Sequence, residues 1–230
     1  MNLLGIAVIY YNGKKISIEH GSILPDYVIL DGNVLKTLPD YQKKSTLLDS
    51  LCQAIESYWA KDATSESKKY SKQCILLILK NYKNYIENKS NSYKKILYAS
   101  NYSGKAINIS KTTSAHAMSY KITTKYNISH GHAVAICIIP VWKLLSEKSE
   151  RNPHLKDVLL EIASIFEKNT IKDSINYFEE IVRKFDLPNI HIKENDLLEL
   201  VDSVNIERME NNPIIFNKQE ILDLYKSINK

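Results

Sequence analysis

Glycine is scarce in this sequence, and it contains no glycine-rich turn. Only 6 of the 230 residues are glycine. Dinucleotides are commonly held where a strand passes through a glycine-rich turn into a helix, because the backbone N–H groups of that turn cradle the pyrophosphate. No stretch of these 230 residues shows that pattern. A phosphate-cradling turn of this kind is therefore excluded within them.

Cysteine and long apolar runs are also lacking. The three cysteines, Cys52, Cys74 and Cys137, lie in apolar helical patterns without CxxC spacing, which favours buried free thiols in a reducing compartment. The apolar run within residues 1–15 is too short for a membrane span, and it has neither a basic leader region nor a clear cleavage site. We expect a cytoplasmic protein that has no membrane partner.

Charge of one sign is not concentrated anywhere in the chain. The formal net charge is +5, and the lysines are scattered among acidic residues along predicted helices. There is no arginine-rich or glycine-aromatic stretch, so no nucleic-acid partner is expected. With 44% hydrophobic residues, the chain can bury a core as one large domain or two small ones.

Strand patterns are confined to the first part of the chain. Residues 5–11 and 15–19 are rich in β-branched and aromatic residues and flank Asn12-Gly13, a strong hairpin-turn signal. Residues 27–30 predict one further short strand. No later segment carries a convincing strand pattern.

The rest of the sequence has helical periodicity. Ser65 is the expected cap of the second helix, and Gly104 is expected to interrupt the third. The fold predicted is mainly α, a helical bundle behind a small strand region. The expected helices cover residues 39–59, 66–87, 91–109, a stretch from about 112 to 126, 130–149, 155–168, 171–185, 194–201 and 218–228.

The run from Thr112 to Trp142 is the candidate active-site segment, because it places histidines among small and apolar residues. His116 and Tyr120 are four residues apart and share one face of a helix. His130 begins the next helix, facing back toward the first. Two histidines could therefore converge.

A second group of polar residues lies upstream, on the helix that precedes Trp59. Asp49 and Gln53 are spaced i, i+4, and Glu56 shares their face. Alone, Asp49 and Glu56 would be a solvated helix face in most proteins. Asp49 as an oxygen donor and Gln53 as an amide, together with the imidazoles of His116 and His130, indicate a divalent-metal site built from three helices.

These segments resemble a known family. Asp49-x-x-x-Gln53-Ala-Ile-Glu-Ser-Tyr, then Ala-His-Ala-Met at 115–118 and His-Gly-x-Ala-x-Ala-Ile at 130–136, are similar to the iron-dependent (group III) alcohol dehydrogenases, which are related to dehydroquinate synthase. The resemblance runs from about residue 6 to residue 230. It implies Fe²⁺ or Zn²⁺ bound by Asp49, His116 and His130, with Gln53 in the slot usually held by a third histidine.

Within that family the chain looks most like the phosphonoacetaldehyde reductases, which also have Gln at the position of Gln53 and a run like residues 104–113. This implies NAD(P)H-linked reduction of an aldehyde, with a phosphonate among the expected substrates. Lys111 and the hydroxyls of Thr112 and Thr113 would bind that phosphonate. The alternative for Lys111 is an ordinary surface lysine.

The resemblance also predicts the domain organisation. Residues 1–36 would be the last strands of an α/β dinucleotide-binding domain, and residues 37–230 an all-helical metal-binding domain. The cofactor motifs would lie in a missing N-terminal half, so no cofactor-binding residue is assigned.

The expected partners are an aldehyde or alcohol, a second copy of the chain or a complementing half. Dehydroquinate synthase-like or glycerol-1-phosphate dehydrogenase-like chemistry, or a non-catalytic helical module, are the alternatives.

Overall fold

The computed structural model describes residues 6–11, 14–204 and 209–229, with side chains from residue 20 onward. Strands β1 (Ile6–Tyr11) and β2 (Lys14–Glu19) pair antiparallel. Ile6 lies opposite Glu19 and Tyr11 opposite Lys14. The two strands of the predicted hairpin are therefore present, whereas its predicted Asn12-Gly13 turn lies outside the described residues.

Beyond the hairpin the described chain is helical, as the periodicity predicts. Short 3₁₀ turns at 21–23, 32–35 and 194–196 accompany the longer helices. The α-helices are α1 (Asp40–Trp59), α2 (Ser65–Ile86), α3 (Ser90–Ser110), α4 (Ser114–Lys125), α5 (His130–Ser149), α6 (Pro153–Ile165), α7 (Ile171–Lys184), α8 (Leu197–Asp202) and α9 (Lys218–Ser227).

The strand predicted at residues 27–30 is not formed. This segment has no regular structure, and the side chains of Tyr27 and Ile29 are 93% and 94% exposed. Its composition suits a strand, but that preference reflects packing against neighbouring strands. No neighbouring strand lies beside it in the described part of the chain, so the prediction was wrong.

Two local predictions about the helices were also wrong. The cap of α2 is Thr64, whose side chain accepts a hydrogen bond from the backbone N–H of Ser67, while Ser65 is already helical. Helix α3 continues unbroken through Gly104. A glycine in a helix costs only about 1 kcal/mol relative to alanine. Gly104 is buried within α3, and the surrounding packing outweighs that cost.

Helix α1 is the centre of the bundle. It packs against α2, α3, α5 and α6, and α4 lies against α5. The core side chains of α1 include Leu48, Leu51 and Ile55, all fully buried. Trp59 at its end meets Trp142 of α5 edge to face, with ring centroids 5.7 Å apart. Polar residues on α1 are consequently drawn into the interior, toward α4 and α5.

The cysteines lie in the interior of the bundle, as their apolar sequence context predicts. All three cysteines are buried free thiols, and burial raises the pKa of each thiol. Within the described ranges, no helix is both long enough and apolar enough to cross a membrane.

Candidate metal centre

Three side chains from three helices meet at one point. Asp49 comes from the middle of α1, His116 from the first turn of α4, and His130 is the first residue of α5. Asp49 Oδ1 lies 3.4 Å from His116 Nε2 and 3.9 Å from His130 Nε2. Two ligand atoms bound about 2.1 Å from one ion can be at most ~4.2 Å apart. Both separations therefore fit a single divalent cation.

The site is closed on one side and open on the other. The His116 side chain is 4% exposed, whereas those of Asp49 and His130 are 22% and 35% exposed. Nε2 of His116 is buried and makes no hydrogen bond within the described chain. A buried ring nitrogen normally has a partner, so its position suits a bound cation. The open side leaves room for a water molecule or a substrate oxygen.

Glu56, which is fully buried, contacts His116 on the side of the imidazole ring opposite Nε2. Nδ1 of His116 donates a hydrogen bond to Oε2 of Glu56. Oε1 of Glu56 accepts from the hydroxyl of Thr113 at 2.6 Å and from the backbone N–H of Ala115 at 2.7 Å. Glu56 is therefore an internal residue that orients a candidate ligand, not part of a solvated face.

Gln53 lies between Asp49 and α3. Its amide nitrogen donates to Asp49 Oδ2 at 2.9 Å, and its carbonyl oxygen accepts from the hydroxyl of Ser103 at 3.0 Å. The carbonyl oxygen is the atom of an amide that could bind a metal. Because that oxygen faces Ser103, the arrangement favours Gln53 as a residue that orients Asp49. Its predicted role as a ligand stays a prediction.

His130 is supported by α4. Its Nδ1 lies 3.5 Å from the hydroxyl of Ser119. The ring of Tyr120 stacks on it nearly in parallel, with centroids 5.5 Å apart and an interplanar angle of 9°. Tyr120 is one turn beyond His116, as their spacing predicts, and so α4 contributes both a candidate ligand and a support for the other histidine.

The carboxylates change the titration of His116. Burial by itself lowers the pKa of His116, but Glu56 and Asp49 outweigh it and raise that pKa to about 9. Burial likewise favours the neutral form of Glu56, yet His116, Thr113 and Ala115 together leave its pKa below the usual range. The two carboxylates thus favour the protonated form of His116 in the metal-free protein. A cation must displace that proton in order to bind Nε2.

The residues predicted to bind an anion lie in the turn between α3 and α4. Lys111 ends α3 with a left-handed backbone (φ 61°). The side-chain amide of Asn211 holds this turn by donating to the carbonyl oxygens of Ser110 and Thr112.

The hydroxyls of the same turn are less available than the sequence suggests. Thr113 is fully buried, and its hydroxyl accepts from Trp59 Nε1 at 3.0 Å while donating to Glu56. Thr112 is 3% exposed. A buried hydroxyl that already has two protein partners is not free to bind a substrate, so we do not carry Thr113 into the proposed anion site.

Sequence reasoning missed the supporting roles of Glu56, Ser103 and Asn211. A signal for Glu56 was present, since it shares a helical face with Asp49 and Gln53. Ser103 and Asn211 carry no such signal, because their partners are 50 and about 100 positions away along the chain.

The fold and the site define a helical domain with a candidate divalent-metal centre assembled from three helices. The model of the C-terminal domain of the Fe-containing alcohol dehydrogenase family matches residues 43–229. This chain belongs to that family, whose members are oxidoreductases that use a divalent metal and NAD(P).

Individual relatives agree with this assignment. The 4-hydroxybutyrate dehydrogenase of Clostridium kluyveri is 26% identical over 237 residues, covering 98% of this chain and 63% of the relative. The phosphonoacetaldehyde reductase of Streptomyces viridochromogenes is 26% identical over 127 residues, covering 54% of this chain and 32% of the relative. The iron-containing alcohol dehydrogenase of Thermococcus thioreducens superposes with a TM-score of 0.91 at 24% identity, covering 98% of this chain and 60% of that structure. The chain thus spans less than two thirds of the length of these proteins.

Proposed function

We propose that this chain is the metal-binding catalytic part of an NAD(P)-linked dehydrogenase that interconverts a short aldehyde and its alcohol. The observation that carries the proposal is the convergence of Asp49, His116 and His130, with the buried Nε2 of His116 facing the other two. A divalent cation held there would supply Lewis-acid polarisation of the aldehyde oxygen. The protein positions the three ligands and leaves the side next to His130 open for that oxygen.

Substrates with an anionic group are the favoured class. The names of the two relatives at 26% identity refer to 4-hydroxybutyrate and phosphonoacetaldehyde, which carry a carboxylate and a phosphonate. In this chain Lys111 supplies a cationic side chain at the turn that leads into the ligand helix α4. An ammonium group can pair with either anion through charge-assisted hydrogen bonds.

The nicotinamide cofactor would be bound by residues that these 230 do not include, because no glycine-rich turn occurs among them. We therefore propose that the active protein combines this metal domain with a dinucleotide-binding domain. In that organisation residues 1–36 would belong to the dinucleotide-binding domain and residues 37–230 to the metal domain.

Metal binding is the direct test of the proposed site. We expect protein purified without chelators, or titrated with Co²⁺ or Zn²⁺, to bind one ion, and the double change His116→Ala and His130→Ala to abolish that binding. His154→Ala is the matched control, because His154 is exposed and distant in sequence from the site. Elemental analysis and calorimetric titration measure the stoichiometry. Stoichiometric metal that survives the double change would refute the site.

A further inference from the structure

The carboxylate of Glu56 occupies an unusual place in the interior. Its side chain is fully buried, and burying a charged group is costly unless the group is paired and hydrogen-bonded. Its hydrogen bonds come from Thr113, Ala115 and His116. Within the described chain no lysine or arginine forms an ion pair with it. A buried carboxylate whose charged partner is the imidazole of His116 requires an explanation beyond packing.

One role of the Glu56 carboxylate is to cap the N-terminus of α4. Ala115 is the second residue of α4, and its backbone N–H is one of those left without a partner inside the helix. Oε1 of Glu56 accepts that N–H together with the Thr113 hydroxyl. An uncharged amide oxygen could accept the same two hydrogen bonds. Capping α4 therefore does not require a carboxylate at this position.

The contact between Oε2 of Glu56 and His116, in contrast, does require a carboxylate. Oε2 of Glu56 accepts the Nδ1 proton of His116, which leaves Nε2 as the atom that faces Asp49 at 3.4 Å. With both imidazoles neutral, Asp49 and Glu56 supply two negative charges, which would balance one divalent cation. A carboxylate behind a ligating histidine fixes its tautomer and ring orientation and strengthens it as a donor.

We propose that Glu56 is the positioning residue of the metal centre, holding His116 as the Nδ1–H tautomer so that Nε2 binds the metal. The inference rests on the proposed metal site and adds to it a residue that does not itself touch the metal. Replacing Glu56 by glutamine would keep the shape and the cap of α4. It would also turn an N–H group toward Nδ1 and so favour the wrong tautomer.

The test compares Glu56→Gln with wild type and with Glu161→Gln. Glu161 is a matched control, since it is a partly exposed glutamate that binds Lys68 and Tyr58 on another face. We expect the Co²⁺ affinity of Glu56→Gln, measured by competition with a chelator, to fall about 10- to 100-fold. We expect the control to match wild type. Equal affinities for wild type and Glu56→Gln would overturn the proposal.

A second measurement does not use Glu56→Gln, in case that variant does not fold. In Zn²⁺-loaded protein with ¹⁵N-labelled histidines, His116 is expected to show a coordinated Nε2 and a protonated Nδ1 whose proton exchanges slowly. Loss of this signal in His116→Ala assigns it. Coordination through Nδ1 would overturn the proposal for Glu56 while leaving the metal site intact, whereas absence of any bound metal would refute the proposed function and this inference together.

Discussion

Lys111 has a backbone conformation that non-glycine residues seldom adopt, with φ 61° and ψ −177°. Such a residue costs on the order of 1–3 kcal/mol and persists only where its surroundings enforce it. Here the side chain of Asn211 holds the carbonyl groups on either side of Lys111. The turn is therefore built at some cost to stability, and it presents a lysine immediately before the helix that carries His116.

A change of Lys111 tests the substrate class. In a fusion that supplies a relative's dinucleotide-binding half, Lys111→Met should lower kcat/KM for phosphonoacetaldehyde far more than for a neutral short aldehyde. Hydrogen bonds to charged groups contribute roughly 1.5–3 kcal/mol, which corresponds to a loss of about tenfold or more for the anionic substrate. Steady-state kinetics on both aldehydes measure the difference, and Lys111→Arg serves as the charge-preserving control. Equal losses on both substrates would show that Lys111 serves the fold instead of the anion.

At the scale of the helices, the site depends on how closely α5 approaches α1. A Cβ atom added at Gly131 would lie 2.0 Å from the carbonyl oxygen of Ser45 and 2.7 Å from Cβ of Asp49. These atoms belong to α1, so only glycine allows the present approach. The approach also brings His130, the neighbour of Gly131, to Asp49. The lack of a side chain at Gly131 therefore allows both the close packing of α5 on α1 and the approach of His130 to Asp49.

Gly131→Ala should accordingly damage both stability and metal binding. Overpacking of this kind typically costs about 1–3 kcal/mol, and the clash with backbone places Gly131→Ala at the upper end. We expect a lower free energy of unfolding in urea and weaker Co²⁺ binding, because α5 must move away from Asp49. Gly21→Ala is the matched control, since nothing lies within 4 Å of a Cβ at that position. A Gly131→Ala protein as stable as the control would mean that α1 and α5 pack less closely than described.

At the scale of the whole molecule, the chain corresponds to the C-terminal part of longer relatives and has the helical metal domain without a glycine-rich turn. Metal binding and cofactor binding should thus be separable. The three candidate ligands all come from α1, α4 and α5, within one packed bundle. We therefore expect the candidate metal site to assemble without a second domain.

The isolated chain should bind metal but should bind neither NADH nor NADPH tightly. The physical reason is that the sequence has no glycine-rich turn whose backbone N–H groups could hold a pyrophosphate. Calorimetric titration of the metal-loaded chain with each cofactor is the measurement, and a titration with Co²⁺ on the same preparation controls for folded protein. A micromolar dissociation constant, about −8 kcal/mol, would place the nucleotide on this domain and contradict the prediction.

The sequence by itself determined most of the helices and the candidate ligands, because both are encoded locally. A 3.6-residue period indicates a helix and its buried face, and the i, i+4 spacing of Asp49 and Gln53 puts them on one side of α1. The shared helical face of His116 and Tyr120 follows from their spacing of four residues, and the helix-starting position of His130 follows from the turn signal around it. These predictions needed no knowledge of distant residues.

Only the tertiary structure decided which atoms of those residues face the metal position. Glu56 could have been solvated, and it is internal because α4 begins against it and supplies Thr113, Ala115 and His116 as partners. The orientation of the Gln53 amide depends on Ser103, 50 residues away. The segment at 27–30 failed to become a strand because a strand requires a neighbour. Each of these outcomes depends on contacts between residues far apart in the chain, which local sequence patterns do not encode.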